Sequence, residues 1–262
     1  MANVFITGAS SGLGAALARR YAARGDTVGL VGRHPGRLQA VADTLPGDRA
    51  RIHVLPADVT KRGEILSAAA EFEHLTGGAD IVIASAGVDH GVKTEYYEDL
   101  DVLEDIYRTN VFAMAYTFHA FIGPMKRRGR GRLVGIGSAG GIRGMAGSDA
   151  YCASKSAVIT YLESLRIELR RYGILVQTIC PGYVKTPLTD GNPYHMPFIL
   201  TPDEFAERAV KAIDRGDTYR VIPWQMGVLT KILRLLPNAL YDRIVENRPQ
   251  KPRVTRDTVS DK

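Results

Sequence analysis

Val4-Phe5-Ile6-Thr7-Gly8-Ala9-Ser10-Ser11-Gly12-Leu13-Gly14 opens on a short apolar run and passes at once into a glycine-rich turn. Residues 4–7 read as a buried strand, and residues 12–24 as the helix that follows it. Glycines at 8, 12 and 14 allow a tight turn, close approach of a phosphate, and close contact of helix and strand. Main-chain N–H groups at a helix N-terminus bind anions. Gly8, Ser10, Ser11, Gly12, Leu13 and Gly14 are therefore assigned to one anion-binding turn. The spacing is Gly-x-x-x-Gly-x-Gly, not the commoner Gly-x-Gly-x-x-Gly. Its place directly after a first strand is what gives it weight.

The same alternation continues outward. Apolar runs at 27–32, 51–55, 80–84, 132–138, 174–180 and 219–222 read as strands. Helical stretches at 35–45, 60–76, 100–127, 150–172 and 202–215 lie between them. Strand–helix alternation of this kind predicts an α/β fold, a Rossmann-like, doubly wound parallel sheet of about seven strands with helices on both faces. No repeat, low-complexity run or linker divides it, so residues 1–248 are read as a single domain.

Composition agrees with a globular chain: of 262 residues, 45% are hydrophobic and 24% charged. No stretch approaches the ~20 apolar residues of a membrane span. The chain enters a strand without a basic-then-apolar leader, which predicts a cytoplasmic protein with no signal peptide. Cys152 and Cys180 form no metal or redox spacing and read as reduced structural thiols. The net charge of +6 gathers in residues 126–132 and the C-terminal tail, with no nucleic-acid motif and no aromatic interleaving. Nucleic acid is excluded as a partner on that ground, and residues 126–132 read as a solvated loop.

The end of the second strand bears on the cofactor. An NAD site usually carries an acidic residue there, bonding the ribose 2′-hydroxyl. This chain has Val31-Gly32-Arg33-His34 instead. A guanidinium can grip a 2′-phosphate bidentately, so Arg33 predicts NADP(H) in preference to NAD(H). After the third strand, Asp58 has two readings, an acceptor for an adenine amino group or a cap for the helix near Thr60. The fourth strand leaves through Ala84-Ser85-Ala86-Gly87, small residues beside which a ligand can lie. Asn110 stands inside a long helical stretch. Either it bends that helix by bonding the backbone, or it holds a water behind Lys155.

Ser138 through Lys155 carries the chemistry. Ser138 ends an apolar strand, and Ser148 and Asp149 start a helix free of proline and glycine through Tyr172. Tyr151 and Lys155 are four residues apart and share a face of that helix. A hydroxyl, a phenol and an amine so placed suit proton transfer at a carbonyl. A neighbouring ammonium favours phenolate, so Tyr151 is expected to titrate lower than an ordinary tyrosine. No His or Cys cluster offers a metal site.

Taken together, the turn at 7–14, Asp58-Val59, Asn110, Ser138, Tyr151-Cys-Ala-Ser-Lys155 and Pro181-Gly-Tyr-Val-Lys-Thr186 resemble the classical branch of the short-chain dehydrogenase/reductase family. The resemblance covers residues 3 to about 190 in order. It implies a catalytic tetrad of Asn110, Ser138, Tyr151 and Lys155. It places Val59, Ala86, Gly87, Tyr151, Lys155, Pro181, Val184 and Thr186 at the cofactor, with Lys155 on the nicotinamide ribose and Val184 and Thr186 on the nicotinamide carboxamide. It implies a hydride exchanged with a ketone or secondary alcohol, and a homo-oligomer, dimer or tetramer. One departure stands out: Ala84-Ser85 replaces the family's usual Asn-Asn, and with it the bonds those side chains make.

Substrate choice is expected in residues 183–215, whose prolines and aromatic residues suggest a lid over an apolar pocket. Arg143 and His90 are substrate contacts or solvated loop residues. Residues 224–247 look amphipathic, with Pro237 dividing two helices. They pack within the protein, on another subunit, or on a membrane surface, the first being the default. The tail at 249–262 reads as disordered. Two other functions are weighed. A catalytically silent NADP(H)-binding regulator would not need Ser138, Tyr151 and Lys155. A sugar-nucleotide epimerase or dehydratase would need different glycine spacing and a larger C-terminal domain.

Overall fold

The computed structural model describes residues 1–254. Seven parallel strands form one sheet: β1 (Asn3–Thr7), β2 (Thr27–Gly32), β3 (Ile52–Pro56), β4 (Ile81–Ala84), β5 (Gly131–Ile136), β6 (Ile174–Pro181) and β7 (Tyr219–Ile222). Their order across the sheet is β3-β2-β1-β4-β5-β6-β7. The order reverses between β1 and β4, where Thr7 pairs with Ala84. In such sheets the crevice beyond the strand C-termini at the reversal is where ligands bind. Both the glycine turn and residues 84–87 leave the sheet at that point.

Helices cover both faces. On one side lie α1 (Gly12–Ala22), α2 (Pro35–Thr44) and α7 (Pro202–Arg215), whose Leu17, Tyr21, Leu38, Phe205 and Ile213 are fully buried against Val4, Ile6 and Leu30. On the other lie α3 (Arg62–Thr76), α5 (Ala113–Arg128) and α6 (Asp149–Leu169), with Phe72, Phe118, Phe121 and Leu162 packed on Phe5, Val82 and Leu133. Strands buried on both faces read as continuous apolar runs, which is why they were visible in the sequence.

The helix expected over 100–127 is three pieces. It comprises α4 (Asp99–Tyr107), a π turn (Arg108–Phe112) and α5. The π turn centres on buried Asn110. The strand expected to reach Ser138 stops at Ile136, because Ser138 caps a short 3₁₀ turn, accepting from Gly140 N at 3.0 Å.

Two further expectations change. Residues 126–132 are not simply solvated: Arg128 pairs with Glu73 at 3.2 Å and donates to Ala79 O at 2.7 Å, and Arg132 donates to Ile213 O. These cations tie helices to the sheet. The first part of the tail expected to be disordered makes contacts with the body of the protein. Lys251 pairs with Asp89 at 2.8 Å and Arg253 with Asp99 at 2.8 Å, both in partly buried settings. The remainder of the expected disordered tail, 255–262, lies outside the described residues.

The C-terminal helices α8 (Trp224–Leu235) and α9 (Asn238–Val245) do break at Pro237. Arg143 holds them. It donates to the carbonyls of Leu233 and Leu236 and to Asn238 Oδ1, and lies 3.8 Å from the centre of the Tyr241 ring. The last carbonyls of a helix have no partner within it, and a guanidinium here satisfies them. Arg143 thus serves the fold, clamping α8 and α9 together. Arg143→Ala is expected to lower stability by about 1–3 kcal/mol. Thermal unfolding of the variant checks it; an unchanged Tm would show that the clamp contributes nothing.

Candidate active site

The glycine turn is tight for a steric reason. Gly8 has φ 68°, and a Cβ there would lie 2.8 Å from Ala86 N and Cα. A Cβ on Gly14 would lie 2.2 Å from the Gly8 carbonyl oxygen. Neither distance is tolerable for a side chain, so both positions require glycine. Ser11 precedes α1 in extended conformation and makes no side-chain cap, which leaves the first-turn amides of the helix for an anion. Ser10 lies beside Gly32, close to the end of β2, and Arg33 is exposed there.

The departure at Ala84-Ser85 has a local replacement. Thr7 Oγ1 accepts from the N–H groups of Ser85 (3.2 Å) and Ala86 (3.3 Å), so a hydroxyl on β1 ties down the exit of β4. The Ser85 hydroxyl is buried with no hydrogen-bond partner among the described residues. An orphaned buried hydroxyl, free first-turn amides and the glycine clearances fit a dinucleotide lying across the switch point. Asp58 closes a local turn rather than capping α3, which starts at Arg62 behind Lys61 with no side-chain cap. Its Oδ1 accepts from Thr60 N (2.9 Å) and Thr60 Oγ1 (2.8 Å), a turn ahead of α3 that leaves Oδ2 over. Val59 is buried beside it.

Past β6, Pro181 leads into a loop held by an isolated parallel bridge from Val184 to Leu200. A Cβ on Gly12 would lie 3.5 Å from Thr186, so this loop faces the glycine turn. Of the stretch expected as a lid, Pro202–Arg215 is a core helix with a full Thr201–Glu204 capping box. Only residues 185–199 remain free to act as one.

Ser138, Tyr151 and Lys155 meet at the C-terminal edge of β5. Ser138 is buried and its hydroxyl hydrogen-bonds the Tyr151 phenol. Lys155 Nζ donates to Ile136 O at 3.0 Å and lies 5.9 Å from the centre of the Tyr151 ring. A Cβ on Gly87 would fall 3.4 Å from that Nζ and 3.2 Å from Asn110 Oδ1, which brings the β4 exit against the same helix.

The electrostatics overturn one expectation. Tyr151 is pushed well above the ordinary tyrosine range, by burial of its hydroxyl and by the charge of Asp89, against the lowering bond from Ser138. Lys155 does not pull it down. Burial moves Lys155 itself down to about 8, with Cys180 and Asp89 opposing the shift. The sequence placed a cation beside a phenol but could not show that both would be desolvated. Burial likewise raises both thiols, Cys152 and Cys180, to about 11, in keeping with inert structural cysteines.

Asn110 is also clarified. Its Nδ2 donates to Val88 O (3.0 Å) and Ser154 Oγ (3.0 Å), and its Oδ1 accepts from Val88 N (2.8 Å). The side chain bonds the backbone of the β4 exit and ties it to α6, the first of the two readings that the sequence left open. It does bend its helix, through the π turn.

A family model for short chain dehydrogenases matches residues 2–195. The chain belongs to the short-chain dehydrogenase family. This short-chain dehydrogenase is 40% identical over 237 residues to an uncharacterised oxidoreductase of Myxococcus xanthus, covering 90% of this chain and 93% of the relative. It is 35% identical over 187 residues to the D-beta-hydroxybutyrate dehydrogenase of Rhizobium meliloti, covering 71% and 72%. Among solved structures, a single-residue variant of the actinorhodin polyketide ketoreductase with NADPH superposes with a TM-score of 0.75 at 27% identity, covering 84% of this chain and 95% of that one. The Rossmann-like sheet and the oxidoreductase class follow from the family. No helix among the described residues is long and apolar enough to cross a membrane.

Sequence reasoning missed three residues around this site: Thr7 as the tie for β4, Asp89 as its buried carboxylate, and Lys251 as the partner of Asp89. Asp89 stands two residues past Gly87, and that proximity to the small-residue exit was the one signal available.

Proposed function

We propose that the protein reduces a ketone to a secondary alcohol with NADPH, Tyr151 giving the proton. The observation that carries this reading is the convergence of Ser138, Tyr151 and Lys155 beside a glycine turn built for a phosphate. NADPH, when bound, supplies the hydride for the carbonyl carbon. The chain's own residues do the rest. The glycine turn and the Ser85 hydroxyl would hold the cofactor's phosphate and ribose portions, and Val184 and Thr186 would bind its nicotinamide. Ser138 orients the substrate oxygen by a hydrogen bond. Tyr151 protonates that oxygen as negative charge develops on it. Its raised pKa keeps the phenol protonated across the neutral range, which favours the reductive direction. Lys155 sets a positive charge below the phenol. Residues 185–199 shield the site from water.

Two supports point to NADPH in particular. Arg33 takes the position that a carboxylate occupies in NAD sites, and the ketoreductase neighbour binds NADPH. Arg33→Ala is expected to raise the Kd for NADPH about ten- to a hundredfold, the worth of a charged hydrogen bond, and to leave NADH unchanged. Fluorescence titration with both cofactors decides it. Equal wild-type affinities would end the NADP preference. The reaction class is tested by NADPH consumption over a panel of aryl ketones, sugars, steroids and 3-oxoacyl thioesters. Turnover of none of them, with NADPH tightly bound, would reject ketone reduction.

A further inference from the structure

A strap of C-terminal chain crosses the mouth of this site. Arg253 pairs in the sheet sense with Gly91, and Val254 N donates to Gly91 O at 3.0 Å. A Cβ on Gly147 would meet Gln250, so the strap also touches the loop that leads into α6. Arg253 is anchored on Asp99 at 2.8 Å and Glu98 at 2.5 Å, and stacks 3.8 Å from the Tyr96 ring centre. Two residues earlier, Lys251 Nζ reaches inward. It lies 2.8 Å from Asp89 Oδ2 and donates to Leu188 O at 3.1 Å, in the loop at 185–199.

This ion pair is enclosed, with side-chain exposures of 11% for Lys251 and 9% for Asp89. One half of the Asp89 carboxylate is satisfied by Lys251. The other oxygen, Oδ1, is buried and has no hydrogen-bond partner among the described residues. Asp89 directly follows Val88, which Asn110 holds by both its N–H and its carbonyl, and stands two residues past Gly87, where a Cβ would lie 3.4 Å from Lys155 Nζ; its charge acts on Tyr151 and Lys155. The Tyr194 ring packs at 6.2 Å on that of Tyr183, an aromatic pair in the same loop that Lys251 reaches through Leu188. A buried acceptor without a donor is costly, and a substrate that brings the donor is favoured over one that lacks it.

We propose that Asp89 is a specificity-determining residue that accepts a hydrogen bond from a hydroxyl on the substrate near its carbonyl, and that Lys251 is the positioning residue that holds Asp89 for it. The substrate class is an aryl hydroxyketone. The inference rests on the reading that Tyr151 and Ser138 meet the carbonyl oxygen. A site built to bond a hydroxyl rejects the analogue without one, because its own polar group is then left unpaired.

The test compares phenyl ketones with and without a hydroxyl on carbon 2 or 3 of the alkyl chain, using NADPH and the full-length protein. The wild type is expected to favour the hydroxylated member by about tenfold or more in kcat/KM. Asp89→Leu should erase that preference through a higher KM for the hydroxyketone, read as the ratio of the two ketones' kcat/KM so that any change in Tyr151 or Lys155 common to both cancels. Lys251→Met should weaken the preference in the same way, and Lys251→Arg should restore it. If Asp89→Leu does not fold, the double variant Asp89→Leu/Lys251→Met leaves no buried charge unpaired and gives the same comparison. An equal fall on both ketones would reduce the pair to a structural role and overturn the proposal. So would a preference that survives in Asp89→Leu, or a wild type with none. Absence of any ketone turnover would instead overturn the ketone-reductase reading, and this inference with it.

Discussion

Replacing Tyr151 with phenylalanine is expected to lower kcat for ketone reduction by about 10²- to 10⁴-fold, the range for loss of one positioned general acid. The change removes a single oxygen. It keeps the ring and leaves the packing of α6 around Cys152, Ser154 and Lys155 in place. What goes is the hydrogen bond with Ser138 and a phenol whose charge environment is shared with Lys155 through Asp89. NADPH affinity should stay near wild type, because the phosphate turn and Arg33 are untouched. Single-turnover kinetics with saturating NADPH separate the two effects. A fall in affinity with kcat preserved would mean that Tyr151 is a binding residue. Turnover at the wild-type rate would mean that the proton comes from elsewhere, with Ser138 the next group to test.

The pattern of what the sequence disclosed has a physical cause. Gly8 and Gly14 were legible because no other residue can stand 2.8 Å from Ala86 or 2.2 Å from a carbonyl oxygen, so the turn writes itself into the chain. The strands were legible because burial on both faces demands unbroken apolar runs. Tyr151 and Lys155 were legible because a helix puts residues four apart on one face. The sign of the Tyr151 shift was not. It depends on how completely the phenol is desolvated, and that is set by loops far away in sequence. Arg143, Lys251 and Arg253 looked like solvated cations for the same reason: their partners lie 90, 162 and 154 residues away. Asn110 was ambiguous because helix propensity does not distinguish an α turn from a π turn. Its two partners, Val88 and Ser154, are brought to it only by the tertiary fold.

These distant contacts are not decoration on the Rossmann-like frame. The sheet presents the glycine turn, the β4 exit and the Ser138 turn at one edge, and nothing in the sheet alone closes the space above them. Closure comes from pieces of chain that the family frame does not dictate: the loop at 185–199, the α8–α9 pair clamped by Arg143, and the strap that carries Lys251. A polar group enclosed by such pieces acts in a medium of lower dielectric than water, where one charge is felt by several neighbours. Asp89 illustrates this, since it raises the pKa of Tyr151 and opposes the fall in that of Lys155.

Lys155→Met should show opposite signs in stability and activity. In the cofactor-free protein Lys155 is 5% exposed, its ammonium bonds only the Ile136 carbonyl among the described residues, and burial has lowered its pKa to about 8. An unfolded lysine titrates near ~10.4, so between about pH 8 and 10.4 the unfolded chain holds a proton that the folded one has released. Stability therefore rises with pH through that window, and below it the full cost of burying the charge is present. Each tenfold loss of proton affinity is worth about 1.4 kcal/mol, so that cost is about 3 kcal/mol, which a methionine of similar volume does not carry. The variant should thus melt higher than wild type at pH 7, by a margin that shrinks as pH rises toward 10. Its activity should fall by a factor of about 10² or more, because the charge beneath the phenol is gone. Wild-type kcat/KM should decline as pH rises through about 8, as Lys155 loses its proton. Paired melting curves and rate profiles across pH 6–10 read both effects. A Lys155→Met protein that melted lower at pH 7 would show that Ile136 and its neighbours stabilise the ammonium, and that the charge in this site costs the fold nothing.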